Sequence, residues 1–136
     1  MSHPDNAQVA DNLPGRSVVC DNVQLFFYNA VLWNAHRIHY DLPYATEVEG
    51  YPGLVVAGPL MGDWITQIVD EWIEGTDWEM TNLEYSNRQA AYVGDELLLG
   101  GVVTEVNADN QLCVDLFVKN AAGDVITPGK AVLTRS

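Results

Sequence analysis

Two of the three histidines of the chain, His36 and His39, stand three residues apart, with Asn34 just before them and Asp41 just after. An imidazole takes and gives a proton near pH 7, so His39 is the natural general acid and base of this segment. The amide of Asn34 cannot take a proton, but it can orient a water by hydrogen bonds. A metal site can be drawn through His36, His39 and Asp41. Nothing in the sequence supplies the further ligand and supporting partners such a site needs, and no metal is expected. No serine or cysteine lies in a nucleophile elbow. Cys20 and Cys113 have apolar, strand-like neighbours and read as free, buried thiols.

A second chemical element follows at VVAGPLMGDW, residues 55–64. A helix that starts at Pro59 offers unpaired backbone N–H groups and the positive end of its dipole. Gly58 lets a ligand approach that backbone closely. Pro59 has no N–H, so the useful donors are those of Gly58 and Leu60. Donors of this kind hold an oxygen that gains negative charge. A histidine base, an amide and a backbone oxyanion site together are the parts for proton abstraction next to a carbonyl.

These residues need a scaffold. The chain has 136 residues, enough for one domain with a real core. Its net charge of −13 argues against a nucleic-acid-binding face, and no nucleic-acid partner is expected. No apolar run is long enough for a transmembrane helix. The polar N-terminus lacks the layout of a signal peptide, so a cytoplasmic location and no membrane partner are expected. Residues 1–17 read as a flexible arm and 18–136 as the domain. SVVCDNVQLFFYNAVL, residues 17–32, reads as a strand. From Pro59 the period changes: Leu60, Met61, Trp64, Ile65, Ile68, Val69, Trp72 and Ile73 recur at helical spacing, and Gly75 supplies the stop. WEMTNLEYSNRQAAY, DELLLGGVVTEV, QLCVDLFVK and DVITPGKAVLTR then read as strands, the last three separated by the turns NADN and NAAG. One apolar helix and an antiparallel meander make a two-layer α+β domain, with the sheet wrapped around the helix.

WNAHRIHYDLPYA, residues 33–45, resembles the motif G-D-x-N-P-x-H-x-D-P plus a small residue found in the R-specific enoyl-CoA hydratases (hydratase 2, the MaoC-like dehydratases). The match has no gap. Asn34 stands at the motif's first aspartate, His39 at its histidine, Asp41 at its later aspartate and Ala45 at the small residue. In YPGLVVAGPLMGDW, Gly58 matches the family's His-Gly glycine and Ala57 replaces the histidine. NRQAAYVGDELLLGGVVTEV resembles the family's P-x-x-x-G-D-x-L strand entry. The wording NAHRIHYD is similar to one branch, the mesaconyl-CoA hydratases and mitochondrial-type 3-hydroxyacyl-thioester dehydratases.

The resemblance covers about residues 20–135 and implies a single hot-dog domain. It also implies a lyase that works on an acyl-CoA or acyl-carrier thioester as substrate, without a cofactor. A second hot dog is expected, in a homodimer or in a heteromer with a distinct subunit. By carry-over, His39 is the acid and base, Asn34 orients the water, and the Gly58 N–H holds the thioester oxygen. His36, Arg37, Tyr44, Ala57, Leu60 and Arg88 are the substrate-contact candidates, the two arginines for phosphate. Asn34 departs from the family's carboxylate, which supports a rival reading as a non-catalytic acyl-CoA-binding subunit of a heteromer. Asp63, early in the helix, supports the further rival of a hot-dog thioesterase.

Overall fold

The computed structural model describes residues 2–136. Its elements in chain order are strand β1 (Arg16–Val19), helix α1 (Asn22–Val31), helix α2 (Gly58–Ile73) and strands β2 (Trp78–Tyr85), β3 (Glu96–Asn107), β4 (Gln111–Lys119) and β5 (Val125–Arg135). Three short turns of helix lie outside these, at Pro4–Asn6, Arg37–His39 and Tyr44–Val48.

Helix α2 is the axis of the fold. Leu60, Met61, Trp64, Ile65, Ile68, Val69 and Trp72 are all buried along it, while Asp63, Asp70 and Glu71 face outward. Each fully buried side chain of this size contributes about 1.5–3 kcal/mol, so the stripe alone commits the helix to the sheet. Gly75, at φ +74°, turns the chain out of the helix.

All five strands form one antiparallel sheet in the order β1-β3-β4-β5-β2. One face supplies Leu97, Leu99 and Val103, then Leu112, Val114, Leu116 and Val118, then Ile126, Ala131 and Leu133, and these bury α2. Register shifts at Met80/Asn82, Val103/Glu105 and Val118/Lys119 interrupt the ladders. Such bulges bend strands, and here they let the sheet curl around the helix. This is the hot-dog arrangement. Among the described residues no helix is long and apolar enough to cross a membrane.

Three expectations need correction. The run 17–32 is not one strand: β1 ends at Val19, and Asn22–Val31 is a helix. Asp21 makes the difference, because its Oδ1 accepts the N–H of Gln24 at 2.7 Å and caps the helix. Leu25 and Asn29, four residues apart, are the buried positions of α1, while Val23, Phe26 and Phe27 stay exposed. Second, the stretch read as a flexible arm is packed down. Leu13 and Ala7 are buried, Leu13 N–H donates to Gly101 O at 2.9 Å, Trp72 Nε1 donates to Ser2 O at 3.1 Å, and β1 pairs with β3 from Arg16 onward. Third, Cys113 is half-buried rather than buried, and both cysteines are free. Burial, then the charge of Asp21, push the Cys20 thiol up to about 11.

Candidate active site

Helix α1 ends in a way that positions Asn34. Trp33 N–H donates to Ala30 O at 3.1 Å and Asn34 N–H to Asn29 O at 2.8 Å, with Trp33 at φ +58°. This is a Schellman stop, whose left-handed residue is usually glycine. A tryptophan there costs roughly 1–2 kcal/mol. It is also 92% exposed. The turn delivers Asn34, whose Oδ1 accepts the N–H of His36 at 3.1 Å. Its Nδ2 is left without a partner among the described residues.

Next comes the turn Arg37–His39, which His36 caps through its own Nδ1, 3.4 Å from Ile38 N. The turn is tied to the segment before α2: Val55 N–H donates to Ile38 O at 3.0 Å, and His39 Nδ1 lies 2.6 Å from Val55 O. A carbonyl only accepts, so Nδ1 carries the proton and Nε2 keeps the lone pair. His39 is 8% exposed. Burial is the main force lowering its pKa from 6.5; the Val55 hydrogen bond opposes this, and the nearby His36 adds to it. The two imidazole rings stand 5.8 Å apart.

His39 and Gly58 line one open recess of about 310 Å³, together with Ile38, Asn87, Arg88 and Gln89. Gly58 is the first residue of α2, and its N–H makes no hydrogen bond among the described residues. Leu60 N–H is already given to Ala57 O at 3.0 Å, so the donor expected from Leu60 is spent. The Leu60 and Ala57 side chains are buried in the core and do not line this recess. Arg88 is exposed and has no side-chain partner among the described residues; its N–H donates to Ile126 O at 2.8 Å.

Arg37 is differently placed. Its Nη2 meets Asp41 Oδ2 at 2.7 Å, and its guanidinium sits 4.2 Å from the centre of the Tyr44 ring. That pairing, with the Tyr44 N–H, holds the Asp41 carboxyl below its usual range. The Tyr44 hydroxyl donates to Glu49 at 2.8 Å. Arg37, Asp41, Tyr44 and Glu49 thus form a surface cluster of their own. Asp63 is likewise taken, by the hydroxyl of Tyr28 at 2.8 Å.

Asn34 lines a second, more apolar recess of about 350 Å³ with Phe26, Asn29, Ala30, Trp33, Ala35 and Tyr40. Asn29 is 2% exposed; its Nδ2 donates to Leu25 O at 2.8 Å, and its Oδ1 has no partner among the described residues. An orphaned buried acceptor costs about 1–3 kcal/mol. His36 stands between the recesses, bonded to Asn34 through its backbone and facing His39 with its ring.

Sequence reasoning missed Asn29, Asn87 and Thr127. The Thr127 hydroxyl is wholly buried and donates to Asn87 Oδ1 at 2.8 Å. The one signal is the polar NRQ run, residues 87–89, but it falls inside a stretch that reads as a strand running to Tyr92; β2 ends at Tyr85 and the run is loop. No cluster of three or more metal-ligating side chains occurs among the described residues.

Comparison with known proteins bears on the family and the fold. A family profile described as hydroxyacyl-thioester dehydratase type 2 matches residues 2–93. Over 46 residues the chain is 63% identical to mesaconyl-C(4)-CoA hydratase of Chloroflexus aurantiacus, a stretch that is 34% of this chain and 16% of that protein. Over 39 residues it is 49% identical to the mitochondrial hydroxyacyl-thioester dehydratase type 2 of Schizosaccharomyces pombe, 29% of this chain and 13% of that one. The matches therefore span a small part of either relative. The fold is similar to that of the (R)-hydratase from A. caviae involved in PHA biosynthesis, with a TM-score of 0.86 at 17% identity over 96% of this chain and 98% of the other. It is also similar to a chain of the ChsH1–ChsH2 complex from Mycobacterium tuberculosis, with a TM-score of 0.82 at 19% identity over 95% and 98%.

Proposed function

The chain belongs to the hydroxyacyl-thioester dehydratase type 2 family, and from that premise we propose that it adds water to trans-2-enoyl thioesters, or removes it from (R)-3-hydroxyacyl thioesters. One observation carries the reading. Val55 O holds the Nδ1 side of a buried imidazole, so the lone pair of Nε2 is left for chemistry in the recess where helix α2 begins.

In the hydration direction, Asn34 orients a water and His39 Nε2 takes its proton as the oxygen bonds to C3. The electron pair of the C2–C3 double bond moves toward the thioester, and the Gly58 N–H stabilises the charge that builds on the carbonyl oxygen. His39 then returns the proton to C2. Dehydration is the same path reversed, with His39 first taking the C2 proton and then protonating the leaving hydroxyl. No cofactor enters this balance. The lowered pKa of His39 favours the neutral base near pH 7.

Arg88, unpaired at the rim, suits a phosphate of the CoA or carrier arm. Arg37 is already committed to Asp41. The apolar recess beside Asn34 suits the acyl tail. A second hot dog, identical or not, completes the proposal: β2 pairs only with β5 and leaves its other edge open.

The test is loss or gain of enoyl-thioester absorbance with crotonyl-CoA, mesaconyl-CoA and bulkier enoyl-CoAs, together with the His39→Ala variant. Turnover that depends on His39 supports the reading. No turnover of any enoyl thioester, with or without a co-purified second hot-dog subunit, ends it. The second reading, a supporting subunit that binds acyl-CoA, is favoured by the amide of Asn34 where the motif has a carboxylate. Full activity from the isolated chain excludes it.

A further inference from the structure

We propose that Asn87 is a second oxyanion donor, a catalytic residue whose Nδ2 acts beside the Gly58 N–H on the thioester oxygen. The inference rests on the thioester reading of the His39 recess and adds a residue to it.

The need comes from the donors at the start of α2. Ala57 gives no side-chain cap, Pro59 has no N–H, and Leu60 N–H is bonded to Ala57 O. One backbone donor remains, that of Gly58, at the place where negative charge would develop. Asn87 lines the same recess as Gly58 and His39. Its Oδ1 accepts from the buried Thr127 hydroxyl at 2.8 Å, so the amide is held with its nitrogen turned the other way. That nitrogen lies against Gly58: a Cβ built there would collide with Asn87 Nδ2 and stand 3.1 Å from Asn87 Cγ. The Cβ position and the backbone nitrogen of Gly58 share one Cα, which puts Asn87 Nδ2 within about 5 Å of the one free N–H, close enough for both to reach a single oxygen. Its own hydrogens meet no acceptor among the described residues. Gly58 is therefore required on two counts: a side chain would screen its own N–H and also displace the second donor. Thr127, buried behind Asn87, is a positioning residue.

The test uses the full-length chain with crotonyl-CoA for rate and carbonyl-labelled butyryl-CoA for geometry. Asn87 is exposed, so Asn87→Ala should fold, and thermal melting checks this. We expect kcat to fall about 10²-fold with little change in KM, as when one oxyanion donor is removed. Asn87→Asp should fall further, because a carboxylate repels the developing charge. Thr127→Val should give a smaller kcat loss. The infrared C=O stretch of bound butyryl-CoA should move to higher frequency in Asn87→Ala, reporting a lost hydrogen bond even where turnover is complicated. Wild-type kcat in both Asn87 variants, or a kcat loss with an unmoved C=O stretch, overturns the proposal. If the wild-type protein neither turns over crotonyl-CoA nor perturbs the C=O of butyryl-CoA, the thioester reading itself falls and this inference with it.

Discussion

The two recesses on either side of the His36–His39 segment are built by opposite means. In the one that holds His39, the polar groups are held from behind: Val55 O anchors the imidazole and Thr127 anchors Asn87, while His39 Nε2, the Gly58 N–H and Asn87 Nδ2 are left free. The other recess has apolar walls, Phe26, Trp33 and Tyr40, with a tryptophan in a left-handed conformation and a buried acceptor on Asn29 that nothing pairs. The first is organised before any ligand arrives, as electrostatic catalysis demands. The second stores strain and an unmet hydrogen bond, features that concentrate where proteins contact ligands. On the proposed reading the contrast divides the labour: proton transfer and charge stabilisation in the ordered recess, water orientation by Asn34 and acyl recognition in the strained one.

Substitutions should separate the two. His39→Ala should produce the largest effect, a loss of about 10²–10⁴-fold in kcat measured on an enoyl-CoA at a temperature where the variant is folded, together with a lower melting temperature because Val55 O loses its partner. Gly58→Ala should follow at about 10²-fold, because the new methyl displaces Asn87 and screens the N–H. Either variant at wild-type rate would dissolve the distinction between the recesses.

The pH response gives a further cut. His39 has a folded pKa below its ordinary value, so the unfolded chain binds the proton first as the solution is acidified. Its contribution to stability is therefore full above pH 6.5 and falls as pH drops through 6.5 toward the lowered value. The acid limb of kcat/KM should accordingly lie below 6.5, and His39→Gln should remove this part of the stability loss in urea titrations across that window.

The apolar recess predicts the reverse sign. Asn29→Leu should stabilise the ligand-free protein by about 1–2 kcal/mol in urea melts, because it removes an orphaned acceptor while Leu25 O keeps its helical partner. Trp33→Gly should stabilise by about 1 kcal/mol through release of left-handed strain. Both should weaken discrimination among acyl chains more than they change kcat on the shortest substrate. Destabilisation by both would remove the case that this recess is held in tension.

What was legible in the sequence follows from the range of the forces involved. Helix α2 and strands β3 to β5 announce themselves by period, because one buried face repeats in register with the backbone, whereas β2, mostly exposed, reads seven residues too long, to Tyr92 instead of Tyr85. Helix α1 did not: Val23, Leu25, Phe26 and Phe27 are apolar on every side, so no face stands out, and the decisive mark was a single capping aspartate, Asp21. The motif placed Asn34, His39 and Gly58 on the chain, and the fold sets His39 and Gly58 in one recess with Asn34 in the next. It could not place Asn87 or Thr127, which reach Gly58 only through the pairing of β5 with β2 and the loop after it. Nor could it show that Leu60 N–H and Arg37 are already engaged, since both depend on local geometry that residue types do not specify.

Val55 pairs with Ile38 through its backbone, holds His39 through its carbonyl, and stands three residues before Gly58. Three residues of chain span at most about 10 Å. The separation between the His39 imidazole and the Gly58 N–H is thus bounded by a length of polypeptide, a ruler with one end clamped on the imidazole. A residue inserted between Val55 and Gly58 would lengthen the ruler and put the two groups out of step. A residue inserted near the exposed Gly50 turn would leave it untouched, so chain length is constrained on one side of Val55 and not on the other.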